Sequence, residues 1–385
     1  MFDEIREAIQ TSGAAAGLDR LADSYKAEKN YPGVFEARLM KARLELGLPL
    51  VLNGPPDGAD EDVRKGYEQA QIDAARETGK LFLADGEIYR AWPYFRALGD
   101  KAPVIEALRD AKPDGETVDG LVEIAFHEGV DPKRGFELIL EHYGTCRAIT
   151  NFGHYPSEEG KEDSARLLVD TLTEEVSENI RRAVEQVEGK PPEAQSLGEL
   201  IRGRDWLFEG NNYYVDTSHV SSVVQMSPQW EAPDVLRKVV DLCEYGRRLG
   251  DMYQFAGDPP FEDTYADHAV YLRALLGENV DEAVAHFREK ISPEPDPYGN
   301  PPAQTLVRLL VRLDRIEEAA QVAAEFLSDV DAQFLACPSP PELLAAAGDA
   351  AGLEAYARKK DDLLADAAAV ELAQKRNGPS STTDA

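Results

Sequence analysis

The sequence predicts an all-α protein built of helical hairpins. Three observations carry that prediction. Apolar residues recur at steps of three and four along most of the chain, strand-like alternation is almost missing, and Gly- and Pro-rich breakers fall between the periodic segments. Ala, Leu, Glu, Arg and Asp dominate, and β-branched runs are few, which favours helix. With 43% hydrophobic and 29% charged residues over 385 positions, the chain is rich enough in apolar side chains to fold rather than stay disordered.

Taken in order, the first periodic segments reach Tyr25, Asn30 and Tyr31, and Asn53-Gly54-Pro55-Pro56-Asp57-Gly58 then separates a first hairpin from a second. In the second, Gly79, Phe82, Gly86, Ala91 and Phe95 are spaced so that two helices meet across a short turn. There the small residues permit close approach and the aromatics fill the gap between neighbours. The stripe Ala165, Leu168, Leu172, Val176, Ile180, Ala183 and Val187 predicts one long helix, which Gly189-Lys190-Pro191-Pro192 ends. The nearest approach to a strand is Tyr213-Tyr214-Val215, and helix periodicity resumes at Leu236, Val239, Val240 and Cys243. Tyr271, Ala274, Asn279, Ala283 and Phe287 repeat the earlier hairpin spacing. Pro293, Pro295, Pro297, Gly299, Pro301 and Pro302 read as a linker into a last array. Its stripe runs through Leu306, Leu309, Leu310 and Leu313. Its hairpin spacing recurs at Leu310, Asp314, Ala319, Ala323 and Phe326, and more loosely at Leu344, Gly348, Asp349 and Ala357.

These spacings resemble the tetratricopeptide-repeat superfamily, whose unit of about 34 residues sets a small residue and an aromatic four apart on its second helix. The resemblance covers about half the chain, in units near residues 15–46, 65–98, 265–290 and 303–360. Pro93 departs from it inside a second helix, Lys290 and Phe326 stand where a small residue is expected, and no copy carries every position. The resemblance implies an α-solenoid that binds peptides or proteins along a concave face. The chain accordingly divides into N-terminal hairpins (1–112), an irregular helical centre (113–260), C-terminal hairpins (261–376) and a disordered tail (377–385).

All six histidines lie between His127 and His286, amid the most polar-aromatic stretches of the chain. Imidazole and carboxylate are the groups that bind transition metals or move protons near neutral pH, so His127, His142, His154, Tyr214, Asp216, His219, Asp267 and His268 are the ligand-binding candidates. Of these, Tyr214 apart, at least three are expected to face a shared cleft. A structural reading stands beside the chemical one. His127-Glu128-Gly129 reads as a helix end, Asp131 as an N-cap, Asp216, Thr217 or Ser218 as the cap of a helix beginning near His219, and Asp263 as the cap of the one carrying His268. His286 lies beside Phe287 as a surface or packing residue, and Cys146 shares a stripe with Ile139 and Tyr143, which predicts a buried thiol.

No HExxH, CxxC or EF-hand spacing occurs, nor a GxGxxG, GxxxxGK[ST] or GxSxG loop, so neither a metal nor a cofactor nor a catalytic residue is assigned. Three cysteines, Cys146, Cys243 and Cys337, imply no disulfide framework. With no apolar leader and no run long enough for a membrane span, the chain is expected in the cytoplasm. Its 72 acidic and 41 basic residues leave a formal charge of −31, which opposes binding to nucleic acids and anionic membranes. That charge suits either plain solubility or a basic partner. The expected function is a non-enzymatic scaffold for a peptide or protein partner. The alternatives are an enzyme or metal-binding protein with its site among the central histidines, and a helical domain within 113–260 that holds a small polar ligand.

Overall fold

The computed structural model describes residues 2–51, 60–292, 294 and 299–377. The Asn53–Gly58 breaker, Pro293, Pro295 and Pro297, and positions 378–385 of the expected tail lie outside the described residues. Among those described, every regular element is helical, and the sole β-type pairing is an isolated bridge between Ala256 and Asp263. Tyr213-Tyr214-Val215 forms no strand. The chain makes two compact units, Met1–Ser164 and Ala165–Ala385, a division that falls inside the stretch set apart above as the irregular centre.

The first unit runs through α1 (Phe2–Ser12), α2 (Ala14–Ala27), α3 (Tyr31–Glu45), α4 (Glu61–Ala84), α5 (Ile88–Leu98), α6 (Ala102–Asp110), α7 (Val118–Val122), a π-helical turn (Glu123–His127) and α8 (Pro132–Phe152). Each helix packs chiefly on its sequence neighbours, with further contacts between α4 and α6 and between α5 and α7. The α4–α5 hairpin shows why. Its turn is only Asp85-Gly86-Glu87, and the face it closes holds Phe82, Ala91 and Phe95, all essentially buried. A Cβ built on Gly79 would stand 2.7 Å from the Phe95 ring, so only glycine lets α4 and α5 approach this closely. Tyr31 of α3 meets Phe82 edge-to-face at 5.0 Å, and Arg38 reaches both Asp19 of α2 and Glu77 of α4 at 2.9 Å. Pro93 sits on the exposed side of α5 and leaves the helix continuous.

The structure corrects one reading in α8. Gly144 breaks the helix with φ 78 and ψ 179, so the stripe through Ile139 and Tyr143 does not continue into the following turn, and Cys146 is exposed rather than buried.

Helix α9 (Lys161–Glu188) leads into the second unit, followed by α10 (Leu197–Ile201), α11 (Thr217–Met226), α12 (Pro233–Gly246), α13 (Thr264–Leu275), α14 (Val280–Glu289), α15 (Pro301–Arg312), α16 (Ile316–Phe326), α17 (Pro340–Ala346), α18 (Ala350–Lys360) and α19 (Leu363–Asn377). From α11 onward each packs on the next, and α10–α12, α11–α13, α13–α15 and α17–α19 also touch. Ala165, Leu168, Leu172, Val176 and Ile180 of α9 are fully buried, as their spacing predicts. Val187 is 65% exposed although it lies two turns past Ile180 on the same face. Its exposure therefore marks where the neighbours of α9 end. Pro301 and Pro302, read above as linker, form the first turn of α15, where a missing N–H costs nothing and Asn300 accepts from the Ala303 N–H at 3.3 Å. Ala283 of α14 and Ala319 of α16 are buried at helix contacts, and Tyr271 meets Phe287 edge-to-face at 5.7 Å.

Candidate functional site

The eight candidates divide between the two units. In the first, His127, His142 and His154 are all exposed. His127 closes the π-helical turn, its ring edge-to-face with Phe126 at 5.4 Å, and Gly129 follows with φ 65, which is the helix end that the sequence predicts. Neither His142 nor His154 engages a side chain through its imidazole among the described residues. The aromatic cluster beneath this region is apolar: Phe126, Phe136 and Phe152 gather round Tyr155, whose hydroxyl bonds Ser164 at 2.9 Å and whose pKa burial pushes up to about 12.

In the second unit, Tyr214 fastens a loop. Its N–H donates to the Tyr245 hydroxyl at 2.8 Å, its own hydroxyl donates to the Leu207 carbonyl at 3.0 Å, and its carbonyl accepts from Asn179 at 2.7 Å. Asp216 is the N-cap of α11, accepting from the Ser218 N–H and hydroxyl at 2.9 and 2.6 Å. Those bonds, the Ser218 hydroxyl first, hold its carboxyl below the usual range. His219 follows in the first turn, half-exposed. Among the described residues, no hydrogen bond or ion pair links this group to Asp267 or His268.

Asp267 and His268 sit together at the start of α13, both 2% exposed. The His268 ring stacks on Phe261 at 4.1 Å, and its Nδ1 donates to the Thr264 carbonyl at 2.6 Å. Because a carbonyl only accepts, the proton of the neutral ring is on Nδ1. Burial drives its pKa down to about 4, against smaller opposing contributions from Thr264 and Asp267. Asp267 accepts from His286 Nε2 at 2.8 Å, Lys290 Nζ at 2.7 Å and the Asp263 N–H at 2.9 Å. Lys290 also donates to Glu262 and to the Pro260 carbonyl, each at 2.7 Å. Burial opposes its charge, but the bonds to Asp267 and Glu262 outweigh that and raise its pKa.

His286 and Lys290 were absent from the sequence candidates. They lie 19 and 23 residues from their carboxylate, so no local motif announces them. An oriented imidazole beside a buried carboxylate is half of a proton-transfer device, but no hydroxyl or thiol hydrogen-bonds to His286 among the described residues. The arrangement ties the N-terminus of α13 to the end of α14. Among the described residues no three His, Cys, Asp or Glu side chains group to hold a metal ion, and no helix is long and apolar enough to cross a membrane.

A spacious concavity of the first unit lies elsewhere. A cleft of about 880 Å³ opens where the N-terminus of α5, the C-terminal end of α6 and α7 meet, and none of the eight candidates lines it. Leu83, Ile88, Ala107 and Leu121 form its apolar surface. Tyr89 stands on it 60% exposed, over Gly120, where a Cβ would be 3.1 Å from the ring. Glu87, Arg90, Asp110, Lys112 and Glu116 supply the charges. Arg90 is already engaged, bonded to Glu87 at 3.0 Å and lying over the Phe82 ring at 4.6 Å. Among the described residues, Asp110 and Glu116 have no ion pair. The Asp114-Gly115-Glu116-Thr117 turn shapes this wall, with Asp114 accepting from the N–H groups of Glu116 and Thr117. A Pro- and Gly-bearing turn after a short helix was the one available signal in the sequence, and it names a loop, not a cleft.

No protein-family model, curated protein or solved structure matches this chain.

Proposed function

We propose that the protein is a tetratricopeptide-like scaffold without catalytic activity, and that it holds a peptide segment of a protein partner in the α5–α6–α7 cleft. The observation that carries this reading is the cleft itself: its volume is in the range of ligand sites, its surface is apolar, and an exposed tyrosine stands where an occupant would rest. Support for the repeat character comes from packing that runs mostly between sequence neighbours within each unit, with next-but-one contacts such as α4–α6, α11–α13 and α13–α15, and from the Gly79–Phe95 and Tyr271–Phe287 contacts at corresponding places in two hairpins.

Panning a random dodecapeptide library on the full chain, with counter-selection on an Ala107→Trp variant that fills the cleft, tests the reading. Peptides that bind the parent and lose binding to the filled variant are expected, with the variant melting like the parent. A library that yields no binder, or binders indifferent to the filled cleft, refutes the assignment.

A further inference from the structure

We infer that the cleft selects a cationic peptide, one that places an apolar side chain on the Leu83–Ile88–Leu121 surface and a neighbouring lysine or arginine between Tyr89 and the carboxylates of Asp110 and Glu116. This deepens the reading above and rests on it. The argument begins with charge. Of the five charged residues that line the cleft, Glu87 and Arg90 neutralise each other, which leaves Asp110 and Glu116 against Lys112 alone. Both carboxylates are exposed and, among the described residues, without ion pairs, so their charge is available to an occupant. The neighbouring acids carry the same sign: Asp114 accepts hydrogen bonds within its own turn and Asp119 accepts from the Tyr143 hydroxyl, and both keep their negative charge.

Tyr89 adds the second element. Its ring lies on Gly120 with more than half its surface open, and an exposed aromatic face attracts a lysine or arginine head group. A side chain with an aliphatic stem and a cationic head matches both the apolar surface and the acidic wall. At long range the net charge of −31 draws cations toward the whole molecule and repels acidic segments, which favours the same partner kinetically.

The same peptide library gives the test, read by sequence and by salt. Enriched peptides are expected to carry lysine or arginine beside leucine, isoleucine or phenylalanine. Their affinity should fall about tenfold for the Asp110→Asn/Glu116→Gln double variant and similarly for Tyr89→Ala, because an exposed ion pair and a cation–π contact are each modest. Binding should also weaken steadily as salt is raised. Surface changes at Asp110 and Glu116 leave folding intact, and equal melting temperatures check that. If the selected peptides are neutral or acidic and bind the double variant as well as the parent, the cationic assignment fails while the cleft assignment stands. If binding survives the filled cleft, both fail.

Discussion

At the scale of single residues, the most consequential group is the buried Asp267 with its two partners. Taking a carboxylate out of water is costly unless it is paired, and here His286, Lys290 and a backbone N–H supply the pairing. Replacing Asp267 by Asn leaves the shape but removes the charge that Lys290 needs. That substitution should destabilise the chain by about 3 kcal/mol in urea unfolding. A change below about 0.5 kcal/mol would mean that Glu262 and the Pro260 carbonyl satisfy Lys290 unaided. His268 next door gives a pH dependence. Its folded pKa of about 4 lies below the ordinary imidazole value of 6.5, so the unfolded chain takes up the proton first as acid is added. The contribution is complete above pH 6.5, declines as pH falls toward 4, and is gone below that. With the ring mostly buried, it amounts to at most ~3 kcal/mol. A His268→Gln variant should show a shallower loss of stability across this window than the parent, and parallel curves would count against the buried neutral ring.

At the scale of elements, small residues decide how closely helices meet. Gly79, Ala91, Ala283 and Ala319 are buried where neighbours cross, and a Cβ added at Gly79 would stand 2.7 Å from the Phe95 ring. Leucine at Ala91, Ala283 or Ala319 should therefore overpack and cost about 1–3 kcal/mol, measured by urea midpoints at constant m-value. Leucine at the exposed Ala97 of α5 is the control and should be close to neutral, since both residues favour helix. Equal stabilities for all four variants would show that the buried alanines are mere helix formers.

For the molecule as a whole, the governing quantity is charge. Seventy-two acids against 41 bases give −31, and most of the ion pairs present are at the surface, where each adds little. Self-repulsion therefore opposes the compact state, and screening should relieve it. The melting temperature is expected to rise by several degrees between ~10 mM and ~500 mM NaCl, followed by differential scanning fluorimetry, as the screening length shortens severalfold. A flat or falling response would mean that neighbouring charges are already compensated locally. The same charge predicts no measurable binding to duplex DNA at physiological salt.

What the sequence by itself determined was local and periodic. Helix periodicity, the caps at Asp131 and Asp263, the stop at Gly189 and the meeting of Gly79 with Phe95 were all legible, because each depends on residues within one turn or one hairpin, whereas the choice of Asp216 over Thr217 and Ser218 was left to the structure. The reading failed where a single backbone angle overrode a pattern, as at Gly144, which turned Cys146 outward. It also stopped at separations that only packing closes. Asp267 meets Lys290 across a helical hairpin, and the cleft draws Leu83, Tyr89, Asp110, Glu116 and Leu121 from four helices and a loop. A histidine-rich stretch looks chemical in one dimension, yet three of its imidazoles face solvent and a fourth fills a core. Tertiary structure alone decided which side chains converge, since convergence depends on helix crossings whose geometry no single segment encodes.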